Sequence, residues 1–263
     1  MHGLTSVLFL LAVADLSNTR AADQKDVMRQ VQEAYYNLGT EGLASYRCTA
    51  QPDWNVIHSN ASADPGNTQL RALLEGTTFE VAVGPEGAAA ISRQSRIPPT
   101  SEQAATRLRM IANGVEQTLA GFFQVLATFA FGRGTSSSGP NFKFTETLSS
   151  YRITQGEGSA VGVIILNHDL TARELKCKTP QMEGTFYPRF IRTNKGYVLE
   201  AYQGSIEIGV EPWPKVNAEM ESQIEYREIE GFKLPAAFTT RVGISGSTTR
   251  MKFRFDNYQV TKR

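Results

Sequence analysis

The chain has almost no excess charge of either sign and is poor in the residues that most often carry chemistry. Its 263 residues include 27 basic and 26 acidic side chains, for a formal net charge of +1, with three histidines and two cysteines. This balance provides no global field that would attract a polyanion, which argues against a nucleic-acid-binding protein. No metal site or cofactor is expected, because neither cysteine has a CxxC spacing or a histidine partner.

Sequence patterns of the common catalytic classes are also missing. The chain has no HExxH, no GxSxG, no phosphate-binding glycine loop and no EF-hand pattern. His168 precedes Asp169 in a polar stretch that predicts a turn, and neighbouring residues of an extended chain point to opposite faces, so Asp169 is not placed to orient the imidazole. We therefore predict a protein without enzymatic activity. The alternative left open is a hydrolase that uses His168 or a pair of carboxylates.

Long hydrophobic runs are absent apart from one near the start of the chain. Leu4 to Ala14 is too short for the roughly 20 residues of a membrane span but fits the roughly 7–15 residues of a signal h-region, although no Lys or Arg precedes it. We predict a signal peptide over residues 1–22, with cleavage after Ala14 or near Ala21–Ala22, and a single exported domain over 23–263. A buried N-terminal strand or helix is the alternative.

The two cysteines, Cys48 and Cys177, are candidates for a disulfide. An even number of cysteines in an oxidising compartment favours a bridge, and one that closed so long a loop would contribute a few kcal/mol. The alternative is a pair of free thiols that pack as small apolar groups.

The most informative segment is a predicted helix over residues 101–131. It follows the helix-breaking Pro98–Pro99, and Thr100 or Ser101 supplies an N-cap. Apolar residues then recur every three or four positions, which indicates an amphipathic helix, and near its end the helix becomes apolar almost all round. Such a helix is buried in a core, or it faces an apolar cavity or a partner. The two internal glycines, Gly114 and Gly121, predict a kink or close packing.

In most of the remaining sequence, apolar and polar residues alternate, which is the pattern of β-strands with one buried face. A first helix is predicted over 23–39, a first strand over 43–57, a short helix over 69–75 and a hairpin over 77–93, and from residue 141 onward short strands follow one another with tight turns. A bulge is expected near Asn257, where the alternation changes phase. Successive hairpins predict a meander. The predicted fold is mainly β with helices (α+β): a curved antiparallel sheet forming an incomplete barrel covered by the apolar helix.

Two stretches carry a resemblance to a known family. The closing part of the chain reads IEYREIEGFKLPAAFTTRV over 224–242 and MKFRFDNYQV over 251–260, and an amphipathic helix ending at Leu38 leads into the strand at Tyr46–Thr49. These stretches resemble the LolA-like outer-membrane lipoprotein-sorting family. The long helix over 101–131 has no counterpart in the resemblance and is an insert, and no arginine is identified that would latch a lid.

The resemblance implies a half-open β-barrel with a helical lid, whose concave side holds acyl chains in the periplasm. We expect a periplasmic carrier or sensor of a hydrophobic ligand, a lipid or a lipoprotein acyl chain. The alternative is a non-enzymatic envelope protein-interaction domain with a filled core; a cavity of about 300–1,000 Å³ beneath the helix would favour carriage. The predicted ligand-cavity residues are Leu119, Phe122, Phe123, Leu126, Phe129, Tyr226, Phe253 and Phe255.

Overall fold

The structure is a computed structural model that describes residues 24–58, 66–99, 101–132, 142–158, 160–180, 182–209, 215–244 and 246–263. The predicted signal peptide, residues 1–22, lies outside these ranges. Within them the chain is mainly β, with 56% of its residues in strands and a few helices. The helices are α1 (Gln24–Ala34), α2 (Trp54–His58), α3 (Gly66–Glu75) and α4 (Glu102–Ala130).

The strands form one antiparallel sheet of twelve members. They are β1 (Leu43–Pro52), β2 (Thr77–Val83), β3 (Ala89–Ser95), β4 (Lys143–Glu146), β5 (Tyr151–Glu157), β6 (Ala160–Leu166), β7 (Ala172–Lys178), β8 (Met182–Thr193), β9 (Gly196–Ile208), β10 (Val216–Ile229), β11 (Phe232–Ile244) and β12 (Ser247–Lys262).

Neighbouring strands of the sheet are almost always neighbours in the chain. The order across the sheet is β3-β2-β1-β12-β11-β10-β9-β8-β7-β6-β5-β4. The exception is the pairing of β1 with β12, which sets Leu43 opposite Lys262. β3 and β4 form the two edges, and α4 is the element that connects them along the chain. The sheet is therefore open, and the predicted incomplete barrel is confirmed.

The sheet curls around α4. In a flat sheet β2 and β8 would lie about 29 Å apart, because six steps of about 4.8 Å separate them. The last turn of α4 touches both regions: a β-carbon on Gly87, in the turn after β2, would lie 2.8 Å from the Ala127 side chain, and the Phe129 ring lies 4.9 Å from Phe190 on β8. Since a helix with its side chains is only about 10–12 Å wide, the sheet must bend to reach it from both sides.

Three predicted boundaries were wrong: the short helix predicted over 69–75 already begins at Gly66, and the first strand and the first helix each end five residues early. The first strand was expected to run to residue 57 but ends at Pro52, and Asp53 then starts α2 by accepting hydrogen bonds from the Asn55 and Val56 amides at 3.2 and 3.4 Å. The first helix stops at Ala34 because Tyr35 leaves it to form an isolated bridge with Tyr197.

The predicted bulge near Asn257 is present. Asn257 has a φ of 55°, and the register between β1 and β12 shifts between Arg47 and Thr49, which pair with Gln259 and Asp256. The sequence predicted short strands in this part of the chain, but β11 runs unbroken from Phe232 to Ile244, because Pro235 sits within it and does not end it.

The predicted disulfide is wrong in this structure. Cys48 and Cys177 are both free. Cys48 lies on β1 and Cys177 on β7, with five strands between them in the sheet order. The strand order therefore does not place the two thiols on neighbouring strands, and the structure contains them without a bridge. The alternative interpretation, two free thiols, applies.

Candidate functional site: the apolar seam beneath α4

Two features of the sequence position helix α4 on the sheet: a residue that caps its N-terminus and an apolar stripe along one face. Ser101 caps it by accepting a hydrogen bond from the Ala104 amide at 3.2 Å, as the sequence predicted. Its stripe is buried against the sheet, and we call the contact between them the seam. The buried residues of α4 are Leu108, Ala112, Val115, Leu119, Phe122, Phe123, Leu126, Ala127 and Phe129.

The centre of the seam is a cluster of stacked aromatic rings. Phe122 stacks on Phe238 of β11 with ring centroids 4.2 Å apart and on Phe255 of β12 at 5.6 Å. Phe123 meets Phe255 edge to face at 5.6 Å, and Phe253 lies 5.8 Å from Phe238. Rings at these distances leave no room for another molecule between them. The centre of the seam is filled.

A second aromatic group holds the C-terminal end of α4. Phe129 stacks on Tyr35 at 5.4 Å and meets Phe190 edge to face at 4.9 Å. The carbonyl of Ala130 accepts a hydrogen bond from the Leu38 amide at 2.8 Å. The chain between α1 and β1 therefore packs beside the last turn of α4.

A narrow apolar cleft opens where these parts meet. Its cavity volume is about 10 Å³, roughly the minimum for one water molecule and far below that of a lipid site. Lys233 is the charged residue in its lining. The other lining residues are Tyr36, Leu38, Leu126, Phe129, Ala130, Tyr197, Val198, Leu199, Tyr226 and Pro235.

The structure divides the predicted cavity residues into two groups. Leu126, Phe129 and Tyr226 line the cleft. The other five, Leu119, Phe122, Phe123, Phe253 and Phe255, are at most 2% exposed and belong to the packed core. Sequence reasoning missed the remaining cleft residues, of which Lys233 is the most informative. The sequence signal for it was a lysine between the apolar Phe232 and Leu234. This pattern is not specific, because a strand with one solvent-exposed face normally has a charged residue at such a position.

Polar contacts between α4 and the sheet are weak. Glu116 lies 3.8 Å from Arg93 of β3, with each side chain 31% exposed, a geometry that contributes at most about 1 kcal/mol. The Thr118 hydroxyl donates to the Gly114 carbonyl of its own helix at 2.9 Å and lies 3.8 Å from the Met251 sulfur, a weak contact with β12. Apolar burial therefore supplies most of the attachment of α4.

The glycines of α4 do not serve the close packing that the sequence predicted. A β-carbon added at Gly114 or Gly121 would meet nothing within 4 Å, and both positions face solvent. Each glycine lowers the stability of the helix by about 1 kcal/mol relative to alanine without a packing gain in return. Gly121 stands just before the aromatic pair Phe122–Phe123, at the start of the half of α4 that reaches the cleft.

His168 lies in the β6–β7 turn, as the sequence predicted. Its Nε2 is 3.2 Å from the Leu148 carbonyl oxygen, and Asp169 accepts hydrogen bonds from Thr171 instead, which lower the pKa of that carboxyl. Asp169 therefore does not orient the imidazole. Across the described ranges, no cluster of three or more His, Cys, Asp or Glu side chains is arranged to hold a metal ion.

Buried thiol and phenol groups predict that the protein loses stability in alkali. Burial raises the pKa of Cys48 from 9.0 to about 12 and that of Tyr202 from 10.0 to about 12. Above pH 9 the unfolded thiol therefore loses its proton while the folded one keeps it, so the free energy of unfolding falls as pH rises toward 12. Urea unfolding at about pH 8 and about pH 11 measures this loss. Cys48→Ala should remove the thiol's share, and an unchanged slope in that variant would contradict the assignment.

Comparisons with protein-family models, curated proteins and solved structures give no match. None of the helices in the described segments has both the length and the apolar character needed to cross a membrane.

Proposed function

We propose that the protein is an exported, non-enzymatic carrier or sensor that binds a lipid or lipoprotein acyl chain in the seam, with the C-terminal half of α4 moving aside to admit it. In this proposal the protein works in the periplasm. The large cavity that would favour carriage is not formed beneath α4 among the described residues, so the proposal rests on opening of the cleft at the end of the seam. This cleft is apolar apart from Lys233 and is lined by α4 on one side and the sheet on the other. Lys233 would meet an anionic head group at its mouth.

The free energy needed to lift the end of α4 from the sheet is comparable to the free energy gained by burying an acyl chain in its place. Lifting Phe122, Phe123, Leu126 and Phe129 from the sheet costs roughly 6–12 kcal/mol, at about 1.5–3 kcal/mol for each buried side chain. An acyl chain of about 15 methylenes returns about 12 kcal/mol, at about 0.8 kcal/mol per methylene. Because the seam is filled, the ligand would replace these side chains. A ligand shorter than about eight methylenes would return too little to open it.

The construction of α4 also supports movement of its C-terminal half. The ion pair of Glu116 and the contact of Thr118 both lie before Gly121, so they hold the first part of the helix in place. Gly121 is exposed and has no packing role. A bend at Gly121 would leave these contacts intact, while the hydrogen bond from Leu38 to Ala130 and the ring contacts of Phe129 would have to break for the cleft to widen.

A reversible lock on the end of α4 tests the proposal. In a Cys177→Ser, Phe131→Ala background, Gly87→Cys with Ala127→Cys joins the β2–β3 turn to α4, since the two β-carbons would lie 2.8 Å apart and need a shift of about 1 Å to reach disulfide spacing. Phe131→Ala is required because the Phe131 ring would lie 2.5 Å from the new β-carbon, and the strain of a side chain at a φ of 78° is the same in both redox states. We expect the reduced protein to bind a fluorescent long-chain fatty acid and the oxidised protein to lose at least about tenfold in affinity. The same sample in two redox states is its own control.

Equal binding in both redox states would place the ligand outside the seam. If the wild-type protein binds no acyl chain and none is found with it by mass spectrometry, the carrier proposal fails.

The second candidate is an envelope protein-interaction domain. Its support is the filled centre of the seam, where Phe122 and Phe255 are at most 1% exposed, so this protein needs no guest to complete its core. The two candidates differ in the lock experiment: an interaction domain should show no fatty-acid binding in either redox state while keeping a cooperative unfolding transition.

A further inference from the structure

The face of the sheet that points away from α4 carries a polar groove across β8 to β12. Its cavity volume is about 710 Å³. Five of its residues form one row, each directly paired with the next on the neighbouring strand: Tyr187, Gln203, Glu221, Arg241 and Arg250. They alternate along their strands with residues of the buried face, so their side chains belong to the wet face.

A second row lies beside the first and shapes the groove. It runs from Arg189 through Ala201 and Gln223 to Thr239, and all four line the same space. Ala201 has the shortest side chain of the four, so the surface is depressed there between the longer side chains of Arg189 and Gln223. Five strands at a spacing of about 4.8 Å make the groove roughly 19 Å long.

Cationic side chains at one end of the groove face each other. Arg241 and Arg250 are directly opposite on β11 and β12, both exposed, and among the described residues neither has an ion-pair or hydrogen-bond partner for its guanidinium. Directly opposed like charges destabilise a sheet. Glu221 pairs across from Arg241 in the register but lies outside ion-pair distance, and Arg189 at the other end is already held by Glu200 at 2.9 Å. The excess positive charge is therefore at the Arg241–Arg250 end.

We propose that this groove binds a hydroxyl-rich anion, a saccharide chain that bears a carboxylate or phosphate group, with the anionic group on Arg241 and Arg250. Two guanidinium forks can hold one such group through several charge-assisted hydrogen bonds. Between the ends, the amides of Gln203 and Gln223 and the hydroxyl of Thr239 both donate and accept, which matches sugar hydroxyls.

An exposed aromatic ring, and strands whose backbone hydrogen-bonding groups are already paired, favour a saccharide over a peptide as the ligand. Tyr187 is 48% exposed at the far end of the groove, where its ring can cover the apolar face of a sugar. The floor consists of paired strands, so its backbone groups are already used and cannot bind an extended peptide.

Titration calorimetry with defined oligosaccharides tests the proposal. We expect tetragalacturonate or a phosphorylated tetramannoside to bind and neutral maltotetraose to bind at least about tenfold more weakly; comparing the two acidic ligands shows which anionic group is preferred. Arg250→Ala should lower the affinity for the acidic ligand by about tenfold or more, and Arg250→Lys should recover part of this affinity. Arg107→Ala, which removes an exposed arginine of α4, is the matched control and should change nothing.

A second measurement separates binding from folding. Because Arg250→Ala removes a like-charge contact, its melting temperature without ligand should equal or exceed that of the wild type. Equal affinity for neutral and acidic chains, no binding of any chain, or an equal loss in Arg107→Ala would overturn the proposal. The groove lies on the opposite face from the seam, so these results do not depend on the carrier proposal.

Discussion

Phe122→Ala should lower the free energy of unfolding by about 3–5 kcal/mol, the range found for aromatic residues removed from a packed core. The ring is 1% exposed and stacks on Phe238 and Phe255 at 4.2 and 5.6 Å. Its loss leaves a cavity at the point where α4 meets two strands, and these strands cannot approach each other to fill it because their backbones are paired. Urea unfolding followed by circular dichroism measures the change.

Phe144→Ala is the matched control for that measurement. Phe144 lies on the edge strand β4, is partly exposed and stacks on one ring, that of Tyr151 at 5.6 Å. We expect a loss of about 1 kcal/mol or less. If Phe122→Ala costs no more than Phe144→Ala, α4 does not pack on the sheet as described, and both the seam proposed as the carrier's binding site and the filled core of the second candidate would be wrong.

Gly204→Ala should destabilise the protein by several times the usual effect of such a change, about 3 kcal/mol or more, through overpacking against the backbone. A β-carbon at Gly204 on β9 would overlap the Thr185 carbonyl oxygen of β8 and lie 2.9 Å from the Phe186 α-carbon. Backbone atoms cannot rotate away as a side chain can, so the two strands would have to separate. Thermal unfolding measures the loss.

Gly243→Ala provides the control, since it makes the same change in β11, which lies two positions from β9 in the sheet. There the nearest atom to an added β-carbon is the Thr248 hydroxyl oxygen at 3.9 Å, an ordinary contact. Alanine also lowers the entropy of the unfolded chain, so this variant should be neutral or stabilised by about 0.5–1 kcal/mol. A similar melting temperature for both variants would contradict the pairing of β8 with β9.

The elements that sequence reasoning predicted well are those with a local cause. The stripe and the cap of Ser101 are both properties of residues three or four positions apart, and α4 begins and ends within a residue of its predicted bounds. Strand β2 likewise follows from strict alternation over residues 77–83. The bulge at Asn257 could be predicted because the alternation of apolar and polar residues changes phase there, within a single strand.

What escaped prediction depends on contacts between distant parts of the chain. Apolar residues such as Phe122 look the same in the sequence whether they line a cavity or fill one, because the distinction depends on the rings of Phe238 and Phe255 more than a hundred residues away. The cysteines could not be placed relative to each other before the strand order was known. The groove was missed because Arg241 and Arg250 are ordinary wet-face residues until the register sets them opposite each other.

The pairing of β1 with β12 has a consequence for how the chain folds. Strands β4 to β12 follow one another, so each can join the sheet by a short hairpin as soon as it is made. β1 must instead wait for β12, about two hundred positions further on, before it gains its second neighbour, and closure of so large a loop is slow. During synthesis the three-stranded unit of β1, β2 and β3 therefore stays unpaired with the rest of the sheet until the last strand arrives, and the strand edge of β1 is open for that whole interval.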